Sequence, residues 1–158
     1  MNDTHPPPAA PEQRLRSDLV PLRNFIGSDA RDAETIIRDD ARTLEQLGLT
    51  SRQMASRLRE LRTLAASSLG RTATDDELEV TLDEARGTLP CPFAHPGQYP
   101  KINTTVRSTR TGRTVTFSDL GLHLIEAHGF YQGQGSPYRL DPRDLAELLG
   151  LAGADRLA

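Results

Sequence analysis

The chain has 158 residues, 36% hydrophobic and 26% charged, with a net charge of −3 and one cysteine. Its mean hydropathy is −0.51. No apolar run nears the roughly 18 residues of a transmembrane helix, one cysteine excludes an internal disulfide, and the acidic balance gives no global pull toward nucleic acid or anionic membrane.

The opening MNDTHPPPAAPEQ reads as a disordered, proline-rich tail over residues 1–13. It lacks the basic-then-apolar pattern of a secretory signal, and the cysteine usage fits a reducing compartment, so a cytoplasmic location without membrane attachment is expected. Of the 19 basic residues all but Lys101 are arginine, a chain-wide skew that GC-rich codon usage produces.

Residues 17–26 predict a short helix kinked at Pro21. Residues 28–47 predict a long one, with Ala33, Ile36, Ile37, Ala41 and Leu44 on one stripe and Gly48 at the C-terminal stop. Thr50 and Gln53 form a capping box that opens a second long helix, whose core face is Met54, Leu58, Leu61 and Ala65. The stretch LGLTSRQMASRL opens like a DNA-binding helix-turn-helix. Its pattern then runs on as one helix, so a helical hairpin or bundle is expected instead. A third capping box, Thr74 with Glu77, predicts a helix to Arg86, although Leu78, Val80 and Leu82 also alternate as a strand would.

Composition changes at residue 88. Residues 14–88 hold one aromatic, Phe25, and residues 89–158 hold the other six. Two segments are therefore expected, a helical region over 14–88 and a β-hairpin/helix domain over 89–158. In the second, Ile102, Thr104 and Val106 share a face. A two-residue turn at Thr111-Gly112 would place Val106 opposite Phe117 and Ser108 opposite Val115. Ser118 or Asp119 then caps a helix through His128, ended by Gly129. Asp141-Pro142 starts a last short helix that Gly150 closes.

The chemistry-bearing residues cluster. The only cysteine and three of the four histidines form two close pairs, Cys91 with His95 and His123 with His128. A metal needs ligands converging from separate elements, and two such pairs supply them. Thiolate with imidazole suits zinc, and a small domain with few aliphatic residues gains stability from a metal cross-link. Histidines five apart lie about 140° apart on an ideal helix, so His128 is expected in a loosened last turn before Gly129. The order of knuckle, hairpin and ligand-bearing helix over residues 90–129 resembles a treble-clef zinc finger. That resemblance implies a small zinc-stabilised ββα unit.

Glu126 lies between two candidate ligands, where a metal-activated water would need a base. The spacing is neither HExxH nor HxxEH, and four filled ligand positions leave no place for that water. The hairpin carries Lys101, Arg107, Arg110 and Arg113 and no acidic residue, a basic face suited to a phosphate backbone or an acidic protein. Charge on an edge hairpin that resists aggregation gives the same pattern.

The expected protein is thus α+β, with an N-terminal helical hairpin or bundle, a treble-clef-like zinc unit and a C-terminal helix. Its expected function is that of a zinc-binding, non-enzymatic adaptor or regulator of nucleic acid or an acidic protein surface, with self-association through the N-terminal helices. A small metal-dependent hydrolase using Glu126, or a purely structural zinc protein, is the alternative.

Overall fold

The computed structural model describes residues 25–93 and 95–151; the expected tail over 1–13 and most of the helix expected over 17–26 lie outside them. Four helices and one antiparallel sheet follow: α1 (Ala33–Gln46), α2 (Ser51–Ser67), β1 (Ala73–Asp75), β2 (Leu78–Pro90), β3 (Gln98–Ser108), β4 (Thr114–Ser118), α3 (Asp119–His128) and α4 (Pro142–Leu148). The strands are ordered β1-β2-β3-β4. The protein is α+β, and no described helix is long and apolar enough to cross a membrane.

Capping sets the helix ends. Asp32 accepts from the Thr35 amide and starts α1 five residues later than the apolar stripe suggests. The Thr50–Gln53 box is formed in both directions. Ser118 caps α3 through the Gly121 amide, and Asp141 followed by Pro142 opens α4.

Residues 74–86 are not a helix. Asp75 pairs with Leu78 across a turn, and β2 then pairs with β3 so that Val80 lies opposite Val106. Here the period of two outweighs the capping pattern, because Leu78 and Val80 bury only if alternate residues share a face. Asp76 holds φ 54 in the turn, a conformation aspartate tolerates better than most residues. The compositional break at residue 88 therefore falls inside a strand.

The β3–β4 register also differs from the expected one. Val106 pairs with Val115 and Thr104 with Phe117. The loop is four residues rather than two, closed by Ser108 N–H to Arg113 O at 2.8 Å and Gly112 N–H to Ser108 O at 2.8 Å. A shift of two leaves every side chain on its expected face, so the hydrophobic pattern alone does not distinguish the registers.

Helices α2 and α3 pack together and cover one sheet face, while α1 packs against α4. The larger core joins Leu44, Met54, Leu58 and Leu61 from the helices to Val80, Val106 and Phe117 from the strands. The faces expected to form an N-terminal bundle thus merge with strand residues. A smaller cluster joins Ile26, Ala33, Ile36, Cys91, Leu120, Leu124 and Phe130.

The glycine-rich stretch after α3 is clasped to the start of the described chain. Gly133 N–H donates to Phe25 O at 2.6 Å and Gln134 N–H to Asp29 Oδ2 at 3.0 Å. A Cβ on Gly133 would lie 2.2 Å from Ile26 O, and one on Gly135 would lie 2.3 Å from Ser28 Oγ. Only glycine permits that approach. Arg31 holds the Asp29 carboxyl far below the usual carboxylate range. Nearby, Arg139 grips Asp40 through two hydrogen bonds, both groups being largely buried.

Candidate metal centre

Strand β2 ends at Pro90, and Cys91 follows it into the smaller core, 4% exposed. Across from it runs α3, whose N-cap at Ser118 and left-handed C-cap at Gly129 fix where His123 and His128 stand. Gly129 and Phe130 donate back to Ile125 O and Leu124 O at 3.0 Å, closing the last turn tightly. The helix therefore stays helical through His128 and is not loosened. The two imidazoles nevertheless meet, with ring centroids 5.4 Å apart at 85°.

Cys91, His123 and His128 each offer a ligand atom within 4.8 Å of the other two, close enough to bind a metal ion. Cys91 Sγ lies 3.5 Å from His128 Nε2. His95, exposed in the β2–β3 loop, stands beside them, its ring 4.9 Å from that of His123 and 5.6 Å from that of His128. Three of the four expected ligands thus meet at one place, and His95, although its ring lies beside theirs, is not part of that group.

The polar bookkeeping at His123 is unusual. Its Nδ1 lies 3.0 Å from the Tyr99 hydroxyl. Its Nε2 is buried with no hydrogen-bond partner among the described residues, a state that costs about 1–3 kcal/mol unless something satisfies the atom. Burial lowers the pKa of both His123 and His128, and nearby histidines lower each further; Glu126 opposes this at His123. Both imidazoles are therefore favoured in the neutral form that a metal requires. Phe93 stacks on the His128 ring at 4.4 Å and meets Phe130 edge-on at 5.6 Å, an apolar wall that holds that ring.

Glu126 points elsewhere. It pairs with Arg59 of α2 and is half-exposed. With Arg62, Asp119, Tyr99 and His123 it lines a cleft of about 500 Å³ between α2 and α3. Arg62 and Asp119 are joined there by two hydrogen bonds of 3.1 and 3.0 Å.

The hairpin arginines have partners that the sequence did not reveal. Arg107 pairs with Glu79 at 3.2 Å and Arg110 with Glu77 at 3.3 Å. Arg113 reaches Glu147 at 3.5 Å and Asp144 at 3.8 Å. The acids come from β2, its preceding turn and α4, all distant in sequence. Lys101 lies across Gly87 in the irregular part of β2, and no ion pair is formed to it among the described residues.

Sequence reasoning missed Tyr99 and Phe93 as neighbours of the centre. Tyr99 is brought there by its pairing with Leu89, two residues before Cys91, and an irregular register between Glu84 and Thr88 hides that pairing from pattern reading. No family model, curated protein or solved structure matches the chain.

Proposed function

We propose that the protein binds one zinc ion through Cys91, His95, His123 and His128 in a closed tetrahedral centre, and that it acts as a non-enzymatic adaptor or regulator. The observation that carries this reading is the buried Nε2 of His123, without a hydrogen-bond partner among the described residues, beside the Cys91 thiol and His128. Two imidazoles favoured neutral and a thiol form a donor set suited to zinc, and His95, whose ring stands 4.9 Å from that of His123, would swing in as the fourth ligand. The sequence order of knuckle, hairpin and helix supports a treble-clef-like description of residues 90–129. Zinc would cross-link the end of β2 to α3.

The partner reading is a proposal of its own. The hairpin would bind a phosphate backbone or an acidic protein surface, and Arg107, Arg110 and Arg113 would first have to leave their carboxylates. Of the four hairpin cations, Lys101 alone has no such competitor among the described residues. Titration with single- and double-stranded nucleic acid at about 50 mM salt tests this, and absence of binding there leaves the acidic protein as the partner.

Metal analysis and X-ray absorption of protein purified without chelator test the zinc reading. About one zinc per chain with one sulfur and three nitrogens is expected. Metal-free protein overturns it. A shell with fewer protein ligands and a water oxygen favours instead a hydrolase with Glu126 as base, a reading to which the cleft shared by Glu126 and His123 lends some support. Glu126→Gln should otherwise match the parent in folding and zinc content.

A further inference from the structure

A neutral imidazole carries a proton on one nitrogen and offers the other to a metal. The protonated nitrogen then needs an acceptor wherever water is scarce. At His123 the two nitrogens have unlike surroundings: Nδ1 lies 3.0 Å from the Tyr99 hydroxyl, and Nε2 is buried without a partner among the described residues. The Tyr99 ring also lies against the His123 ring, centroids 4.4 Å apart and planes 25° apart. Resting on the zinc reading above, we propose that Tyr99 is a positioning residue for the metal: its hydroxyl accepts the Nδ1–H of His123 and leaves the Nε2 lone pair for zinc.

Metal-binding histidines commonly donate their second N–H to a carboxylate, a carbonyl or water. The nearest carboxylate along the helix, Glu126, is occupied by Arg59. The phenol comes from the neighbouring element: Tyr99 sits opposite Leu89 in the β2–β3 ladder, so the strand pair that delivers the thiol also delivers the group that orients the imidazole. The ring stack alone would restrict the plane of His123. Only the hydroxyl distinguishes one nitrogen from the other.

Tyr99→Phe keeps the ring and removes the acceptor, whereas Tyr99→Leu removes both. Zinc affinity of the full chain, measured by competition with a chelator, should fall about 10- to 100-fold in Tyr99→Phe. The metal-stripped variant should melt only slightly below the metal-stripped parent, through loss of that one hydrogen bond. Nitrogen-15 spectra of the zinc-loaded parent should show His123 protonated at Nδ1 and bound through Nε2. Coordination through Nδ1 overturns the proposal. So does a Tyr99→Phe affinity within about twofold of the parent, with loss confined to Tyr99→Leu, since the ring would then act by packing alone. A parent that takes up no zinc brings down the zinc reading as well, whereas a zinc-loaded parent indifferent to Tyr99→Phe removes only the role of Tyr99.

Discussion

The two cores of this protein are held by different means. The larger is aliphatic and joins α1, α2, α3, α4 and three strands, with Met54, Leu58, Leu61, Val80 and Val106 all fully buried. The smaller also has an aliphatic centre, with Ile36, Leu120 and Leu124, but it includes Cys91 and Phe130, and Phe93 packed against it stacks on His128 of the histidine cluster. Each methylene buried in the first contributes about 0.8 kcal/mol wherever the packing is tight. The second has fewer such groups and a buried nitrogen without a partner. The difference teaches that burial can complete one half of a small protein while the other half keeps a cluster of side chains close enough to bind a metal ion.

The largest effect should separate the two outright. Cys91→Ser combined with His123→Ala, or chelation of the parent, should abolish zinc binding and expose amides of residues 89–99 and 123–130 to hydrogen exchange. Amides of α2 and the β2–β3 ladder around Val80 should stay protected. Uniform loss of protection across both regions would mean that the cores are one cooperative unit.

Leu58→Ala should act in the opposite sense. It should cost about 2–5 kcal/mol in denaturant unfolding by leaving a cavity, with zinc content per folded chain unchanged. The same loss before and after chelation would confirm that the two cores contribute independently.

Acid should distinguish them more gently. Burial holds the pKa of His123 and His128 below 6.5 in the folded chain, so below about pH 6.5 the unfolded chain binds more protons and stability falls. In chelated protein the loss should be gradual, because both rings remain partly solvated. Zinc-loaded protein should fail more abruptly as ligand protonation releases the metal. The larger core contains no histidine and should not respond over this range.

The smallest effects lie on the surface. Arg107→Ala and Arg110→Ala break half-exposed ion pairs and should each change stability by about 1 kcal/mol or less. A larger loss in thermal melts at moderate salt would show that these pairs anchor the hairpin to β2 instead of merely neutralising it.

Much of this contrast is legible in the sequence. The Thr50–Gln53 box, the Met54-Leu58-Leu61 stripe and the Asp141-Pro142 start are local signals, and each fixes its own element. Cys91, His123 and His128 stand out as scarce residue types in close pairs. Three things stayed open or hidden because they depend on partners far along the chain. Leu78, Val80 and Leu82 become a strand because Val106 and its neighbours lie opposite. The arginines of the hairpin find carboxylates on β2, its turn and α4. Tyr99 reaches His123 through a ladder whose irregularity at residues 84–88 no periodicity records.

The glycine clasp has a consequence in time. Ser28 and Gln134 are joined by a hydrogen bond across 106 positions, and Asp40 and Arg139 across 99. Closing loops of that length is slow compared with forming a helix, and the entropy must be spent before the contacts reward it. During synthesis, α1 and α2 would therefore emerge with Ile36, Leu44 and Met54 uncovered and wait for most of the chain to follow. The early-made half is thus the half most exposed to aggregation, and its protection arrives only with the segment that the glycines let close against it.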